Sequence, residues 1–172
     1  LEVSVNVSAK QLRYPDFVDT VKSVIEETGM DSRYLKLEIT ESVSMENISE
    51  VRKIFSELKQ MNVKLSIDDF GTGYSSLAEL KALAVDEIKI DKSFIDDIHI
   101  SGNIKDIVMI ESIVAMAKSF KLKVVAEGVE SSDQFSILQL AHCDYVQGYF
   151  FSKPIKAEEF LPVLEKFKER KI

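Results

Sequence analysis

Asp68 and Asp69 stand side by side in "KLSIDDFGTGYSSL", residues 64–77, where an apolar-alternating run gives way to a loop rich in glycine and hydroxyls. Adjacent carboxylates at such a point are either a solvated turn or a seat for something cationic. Comparable runs end in Glu38, with Glu41 just beyond, in "LKLEITES", and in Lys89 and Asp91 in "IKIDKSF". Glu127 and Glu130 follow in "VVAEGVE", and two amides join them: Asn6 in "VSVNVS" and Gln147 in "YVQGYFFSKP". Oxygen donors with no histidine among them suit hard divalent cations such as Mg2+ or Mn2+. If one aspartate bridges, Asp68 and Asp69 can reach two ions, and two ions about 3.5–4 Å apart form the usual clamp for phosphodiester hydrolysis. Lys89 beside them could steer the attacking water or steady the charge on phosphate. Any one of these residues could equally be a polar strand end; the grouping is what points to a site.

Bringing these groups together requires strands that all end on one side. Short β-branched runs predict strands at Val3–Val7, Tyr34–Thr40, Lys64–Asp68, Glu87–Asp91, Lys123–Glu127 and Tyr145–Phe150. Helical spacing predicts helices between them. One opens at Pro15, carries Phe17, Val18, Val21, Val24 and Ile25, and stops at Gly29. A second, capped by Asn47, carries Val51, Ile54, Phe55 and Leu58. Others cover Ser76–Leu83, Asn103–Phe120, Asp133–Leu140 and Ala157–Arg170. Strand–helix alternation implies βαβ units and a parallel sheet, whose C-terminal strand ends carry the active sites of α/β folds. A closed (β/α)8 barrel needs eight strands and about 250 residues. Six units in 172 residues therefore fit either an open doubly wound sheet or a barrel short of two strands.

Composition narrows the setting. The chain is 45% hydrophobic and 30% charged, suited to one globular domain with a sizeable core. A formal net charge of −7 argues against a nucleic-acid partner, yet leaves room for a small anionic ligand held through metal ions. With Cys143 as its only cysteine, the chain makes no internal disulfide, and a cytoplasmic, reducing setting is expected. No apolar run approaches the roughly 20 residues of a membrane helix. The kinase-like "DFG" lacks its catalytic-loop companion, and "GTG" at 71–73 is too short for a phosphate-binding loop. The sequons at 6–8 and 47–49 are short enough to recur by chance. His99 and His142 lack metal-ligand spacing, and Cys143 reads as a packed thiol. Phe150 and Phe151 read as core or helix-interface residues, and the tail "EKFKERKI" as a solvated last turn.

The stretches "VSVNVSAKQL", "LKLEITES", "IDDFGTGYSSL", "IKIDKSF", "VVAEGVE" and "YVQGYFFSKP", in this order along nearly the whole chain, resemble the EAL domain, the bacterial family that hydrolyses cyclic di-GMP. The resemblance implies a TIM-like (β/α)8 barrel of the EAL type, which settles the choice that strand counting leaves open. It implies a metal-dependent phosphodiesterase that opens cyclic di-GMP to linear pGpG with water activated by two divalent cations, Mg2+ or Mn2+. Asn6, Glu38, Asp68 and Asp69 then resemble metal ligands. Lys89, with Asp69 and Glu127, resembles the catalytic set. Asp91, Gln147 and Glu130 resemble substrate-binding or water-mediated contacts. The loop Phe70, Gly71, Thr72, Gly73, Tyr74, Ser75 and Ser76 resembles the one that couples dimer contacts to metal binding, with Glu41 holding it.

One departure matters. No Glu-Ala-Leu stretch precedes the first strand, and "AEL" at 78–80 lies in an expected helix. Residues 1–172 are therefore read as a single EAL-type domain, N-terminally truncated, with about six of eight strands. The arginine that helps hold substrate is missing with the first two strands. Such a piece is expected to be inactive alone and to pair as a homodimer, with strand swapping as one route. The parent protein is expected to carry sensor or cyclase domains, one of which could anchor it to a membrane. The alternative is a non-catalytic module that binds cyclic di-GMP or relays a signal.

Overall fold

Six strands, β1 (Val3–Asn6), β2 (Leu35–Thr40), β3 (Lys64–Phe70), β4 (Glu87–Ile90), β5 (Lys123–Ala126) and β6 (Tyr145–Val146), pair in parallel in chain order. The computed structural model describes residues 1–42, 48–73, 77–98 and 104–169, with side chains to 165. Helices α1 (Ala9–Leu12) and α2 (Phe17–Thr28) lead from β1 to β2, and α3 (Ile48–Gln60) and α4 (Leu77–Ala82) lead on to β3 and β4. Helices α5 (Ile104–Ser119) and α6 (Ser132–Leu140) complete the crossovers, and α7 (Ala157–Glu169) ends the described chain. A doubly wound sheet reverses its strand order at a switch point. This sheet never reverses.

It also curls. Flat strands about 4.8 Å apart would place β1 and β6 about 24 Å from each other. Instead Ser4 of β1 and Tyr145 of β6 line one cavity of about 300 Å³. The sheet is part of a barrel wall with a concave and a convex face.

Strand alternation divides the residues between those faces. Ile39, Leu65, Ile67, Ile88, Ile90, Val124 and Ala126 are fully buried on the convex side, in one core with Phe55 and Leu58 of α3, Ile110 and Ala117 of α5, and Leu138 of α6. The concave side is polar. Lys36, Ser66 and Glu87 form its lower layer: Lys36 Nζ lies 2.8 Å from Glu87, and the Ser66 hydroxyl donates to Glu87 at 3.1 Å. Buried charges persist only when paired, and here the pair spans β2 and β4 across β3.

Two local devices fix the register. Asp86, just before β4, accepts from the Leu65 amide at 2.9 Å, and Asp144, just before β6, accepts from the Val124 amide at 3.1 Å. Each also pairs with a lysine, Lys59 and Lys123 respectively. Meanwhile α2, α3, α5 and α6 are each followed within two residues by a left-handed residue: Gly29, Asn62, Lys121 and His142. That conformation turns the chain off the helix and toward the next strand.

Several boundaries differ from expectation. The last strand stops at Val146 instead of Phe150, because Gly148 packs against the Val129 backbone so closely that a Cβ there would lie 2.1 Å from its carbonyl oxygen. Phe150 instead stacks on Phe135 of α6 at 5.7 Å between centroids, Phe151 meets both rings edge-on at 5.9 and 5.1 Å, and Phe150 stays 39% exposed. Strand β4 stops at Ile90, since Asp91 caps a 3-10 turn over Lys92–Phe94; β5 stops at Ala126, one residue before Glu127. Pro15 precedes α2 rather than opening it. The short α1 has no counterpart among the expected helices, although Ser8 and Gln11 form a reciprocal capping box. Asn47, Ser76, His99, Asn103 and Arg170 lie outside the described residues. At the β1 edge, Val3 and Val5 remain 53% and 45% exposed where a core strand would be covered. Among the described residues, no helix is long and apolar enough to cross a membrane.

The concave ion pair yields a test. Replacing Lys36 with Met leaves Glu87 buried with only a hydroxyl partner and should lower unfolding free energy by about 3 kcal/mol. The double change Lys36→Met with Glu87→Leu should recover most of that loss in urea denaturation. Glu87 holds the Lys36 pKa above the usual lysine value although burial opposes it. The pair's contribution is therefore present below pH about 10 and lost as pH rises through the raised value.

Candidate functional site

Regular strand geometry would send Asp68 and Asp69 to opposite faces of the sheet. β3 avoids this with one extra residue: its pairing with β4 runs Ile67↔Ile88 and then Phe70↔Ile90. Within that irregularity Asp69 takes φ 54°. Its amide donates to Asp68 Oδ1 at 3.1 Å, and its carbonyl accepts from the Thr72 amide at 3.3 Å and hydroxyl at 2.8 Å. The result is that carboxylate oxygens of Asp68, Asp69 and Glu127 lie within 4.8 Å of one another. Three hard oxygen donors in that span fit a Mg2+- or Mn2+-type ion.

Lys89 lies inside this group. Its ammonium is 2.6 Å from Glu38, 2.6 Å from Glu127 and 3.0 Å from Asp68, and the residue is only 4% exposed. Burial alone would lower its pKa. Hydrogen bonds to Glu127 and Glu38, with the charges of Glu127 and Asp68, overcome that and hold it well above the lysine range. Burial raises the Glu127 pKa; Lys89 opposes the rise, and the nearby Asp68 and Glu38 add to it. Burial likewise raises the Asp69 pKa, reinforced by the nearby carboxylates of Asp68 and Asp91. The region is rich in negative charge, with Lys89 as its internal cation.

The other expected residues fall around this centre. Asn6 pairs in register with Glu38 at the exposed β1 edge. Gln147 lines the concave cavity with Glu38 and Lys89. Asp91 accepts from the Ser93 amide at 3.0 Å. Glu130 points elsewhere, into an exposed ion pair with Lys92 at 2.7 Å. Glu41, directly after β2 and only 2% exposed, accepts from the Gly71 amide at 2.8 Å and the Gly73 amide at 3.2 Å. A Cβ on Gly73 would meet that carboxylate at 2.9 Å. Phe70 is buried and closes β3, and Thr72 folds back on Asp69. Tyr74, Ser75 and Ser76 lie outside the described residues. The lower layer of Lys36 and Glu87 is absent from the expected set, although each stands two residues before an expected site residue, Glu38 and Lys89, and hence on the same face.

Comparison with known proteins follows the same lines. The sequence model described as "EAL domain" matches residues 1–154. Cyclic di-GMP phosphodiesterase NbdA of Pseudomonas aeruginosa is 46% identical over 164 residues, covering 94% of this chain and 21% of NbdA. The chain thus spans about a fifth of that curated relative. The crystal structure of the EAL domain of Mycobacterium smegmatis DcpA superposes with TM-score 0.89 at 38% identity, over 96% of this chain and 74% of that one. Klebsiella pneumoniae BlrP1, solved as a manganese/cyclic di-GMP complex at pH 9.0, superposes with TM-score 0.80 at 32% identity, over 89% and 39% of the two chains. The chain belongs to the EAL domain family, and its curled sheet is six strands of that family's TIM-like barrel.

The Glu41 contacts predict a local effect. Hydrogen bonds to a charged group are worth about 1.5–3 kcal/mol. Glu41→Ala should therefore speed hydrogen exchange at the Gly71 and Gly73 amides by about tenfold or more, with β4 amides unchanged.

Proposed function

From that family membership, we propose that this domain hydrolyses cyclic di-GMP to linear pGpG. Water adds to one phosphorus, and one ribose oxygen leaves as a hydroxyl. The observation that carries the reading is the convergence of Asp68, Asp69 and Glu127 around the buried Lys89, at the strand ends where α/β folds place their sites. NbdA and the BlrP1 complex support the substrate class and the use of a divalent metal.

Asp68 and Asp69 would hold two divalent ions, Mg2+ or Mn2+, with Glu38, Asn6 and Glu127 completing the oxygen set. Bound there, such ions supply Lewis acidity toward water and offset phosphate charge. The chain's own residues do the rest. Lys89, kept charged by its carboxylates, acts as a hydrogen-bond donor that orients water or steadies the phosphate, and not as a base. Gln147 and Asp91 flank the substrate, with Glu130 further out. Glu41 fixes the start of the Phe70–Ser76 loop, through which dimer contacts reach the ligands. Hydrolysis belongs to the closed barrel rather than to residues 1–172 alone, in which β1 and β6 are the outer strands of the described sheet. Those edges also favour a homodimer. A cytoplasmic setting and companion sensor or cyclase domains complete the proposal.

The test compares this chain with a form extended at its N-terminus by the remaining barrel strands, each with Mg2+ or Mn2+. Turnover should appear in the extended form, vanish with chelator or Asp68→Asn, and fall about 10²–10³-fold in Lys89→Met. Absence of turnover in both forms would overturn hydrolysis.

A further inference from the structure

Lys89 does more than sit near the carboxylates. Its ammonium bonds three of the four that surround it, from β2, from β3 and from the residue after β5, at 2.6–3.0 Å. Two of those three, Asp68 and Glu127, also belong to the trio whose oxygens converge within 4.8 Å. An ion drawn to that trio meets two carboxylates already engaged by a cation. We infer that Lys89 is a built-in counter-ion that holds the cation position among these carboxylates and yields it to divalent ions, so that its displacement sets how tightly they bind. The inference rests on the divalent-ion reading above.

Three physical requirements converge on this role. First, Glu38, Asp68, Asp69 and Glu127 are four carboxylates around one ammonium, with a fifth, Asp91, beside Asp69, and such a cluster would not stay assembled uncompensated. Second, a Mg2+-type ion demands oxygens at about 2.0–2.1 Å in near-octahedral array, so Asp68 and Glu127 must divide their lone pairs between the ammonium and the ion. Third, ammonium and divalent ion repel across a few ångströms in a poorly solvated site. Lysine suits such a displaceable counter-ion, because its compact head on a flexible stem can swing a short way and remain charged. Arginine, with a rigid planar fork, would hold its partners more firmly.

The decisive experiment uses metal without nucleotide. Calorimetric titration of the metal-free chain with Mn2+ should show Lys89→Met binding at least tenfold more tightly than the unaltered chain. Equal or weaker binding by the variant would overturn the inference, as would no Mn2+ uptake by either protein at millimolar concentration. A second measurement reads the unaltered chain and needs a variant only for assignment. The Lys89 side-chain Cε resonance, assigned by its loss in Lys89→Arg, should shift as Mg2+ saturates the chain. A resonance that does not move at saturation would overturn the displacement. Neither readout involves cyclic di-GMP: failed turnover with displacement intact sinks only the hydrolase reading, and normal turnover with an unmoved Lys89 sinks only this one.

Discussion

A single buried ammonium governs how this sheet can be shaped. Lys89 stands on β4, yet it bonds Glu38 two strands away, Asp68 on the next strand and Glu127 on the other side. In a flat sheet, β2 and β4 lie nearly 10 Å apart. One lysine head can touch partners on both flanks at 2.6 Å only if the strands bend around it. Curvature and charge compensation are therefore the same requirement. Below it the Lys36–Glu87 pair repeats the pattern, again joining β2 to β4 over β3. A barrel interior is usually filled by stacked branched side chains. Here two ionic layers take that place, and the inward face closes around charge instead of aliphatic volume.

The aliphatic volume lies on the other side. Every outward residue of β3, β4 and β5 from Leu65 to Ala126 that meets the helices is close to fully buried, and α3, α5 and α6 supply the covering layer. This explains why the strands read clearly as alternating segments even though both faces are enclosed: one is apolar and the other ionic. It also explains where enclosure fails. Val3 and Val5 of β1 belong to the convex face but have little to cover them. A strand edge with exposed apolar side chains and unpaired backbone groups is a surface that proteins normally hide.

Much of this was legible because parallel sheets obey strict rules. Once β-branched runs mark six strands, a parallel sheet puts their C-terminal ends on one side, and Glu38, Asp68, Lys89 and Glu127 share that side whatever the strand order. What escaped depended on contacts across the fold. Tyr145–Phe150 looks like a strand, but Gly148 meets the backbone of Val129 and the chain turns away after Val146. Glu130 follows the same strand as Glu127 and reads as a substrate-side residue, and the structure pairs it with Lys92 on the exposed side. The Lys36–Glu87 pair skips a strand, and no local pattern announces a partner 51 residues away. Ser8 and Gln11 are a readable cap, but the helix they begin is only four residues long, too short to show a period.

The adjacent aspartates show how local strain and long-range charge depend on each other. Among the described residues, the non-glycine positions with positive φ are Asn62, Asp69, Lys121 and His142. Three of these follow helices, where the left-handed turn does routine work. Asp69 follows none. Its left-handed backbone costs about 1–2 kcal/mol relative to an ordinary strand conformation. The local bonds from Thr72 and to Asp68 hold that conformation but do not explain why it is present, since a regular strand would satisfy the same backbone groups. What a regular strand cannot do is bring Asp69 to the side of Asp68 and Glu127. The bulge adds a further negative charge to a centre that already holds several; burial, and after it the charges of Asp68 and Asp91, lift the Asp69 pKa. Backbone strain and charge repulsion thus act in the same unfavourable direction, and Lys89 relieves only part of the second. A fold that keeps both costs has a centre suited to more positive charge than its own residues provide.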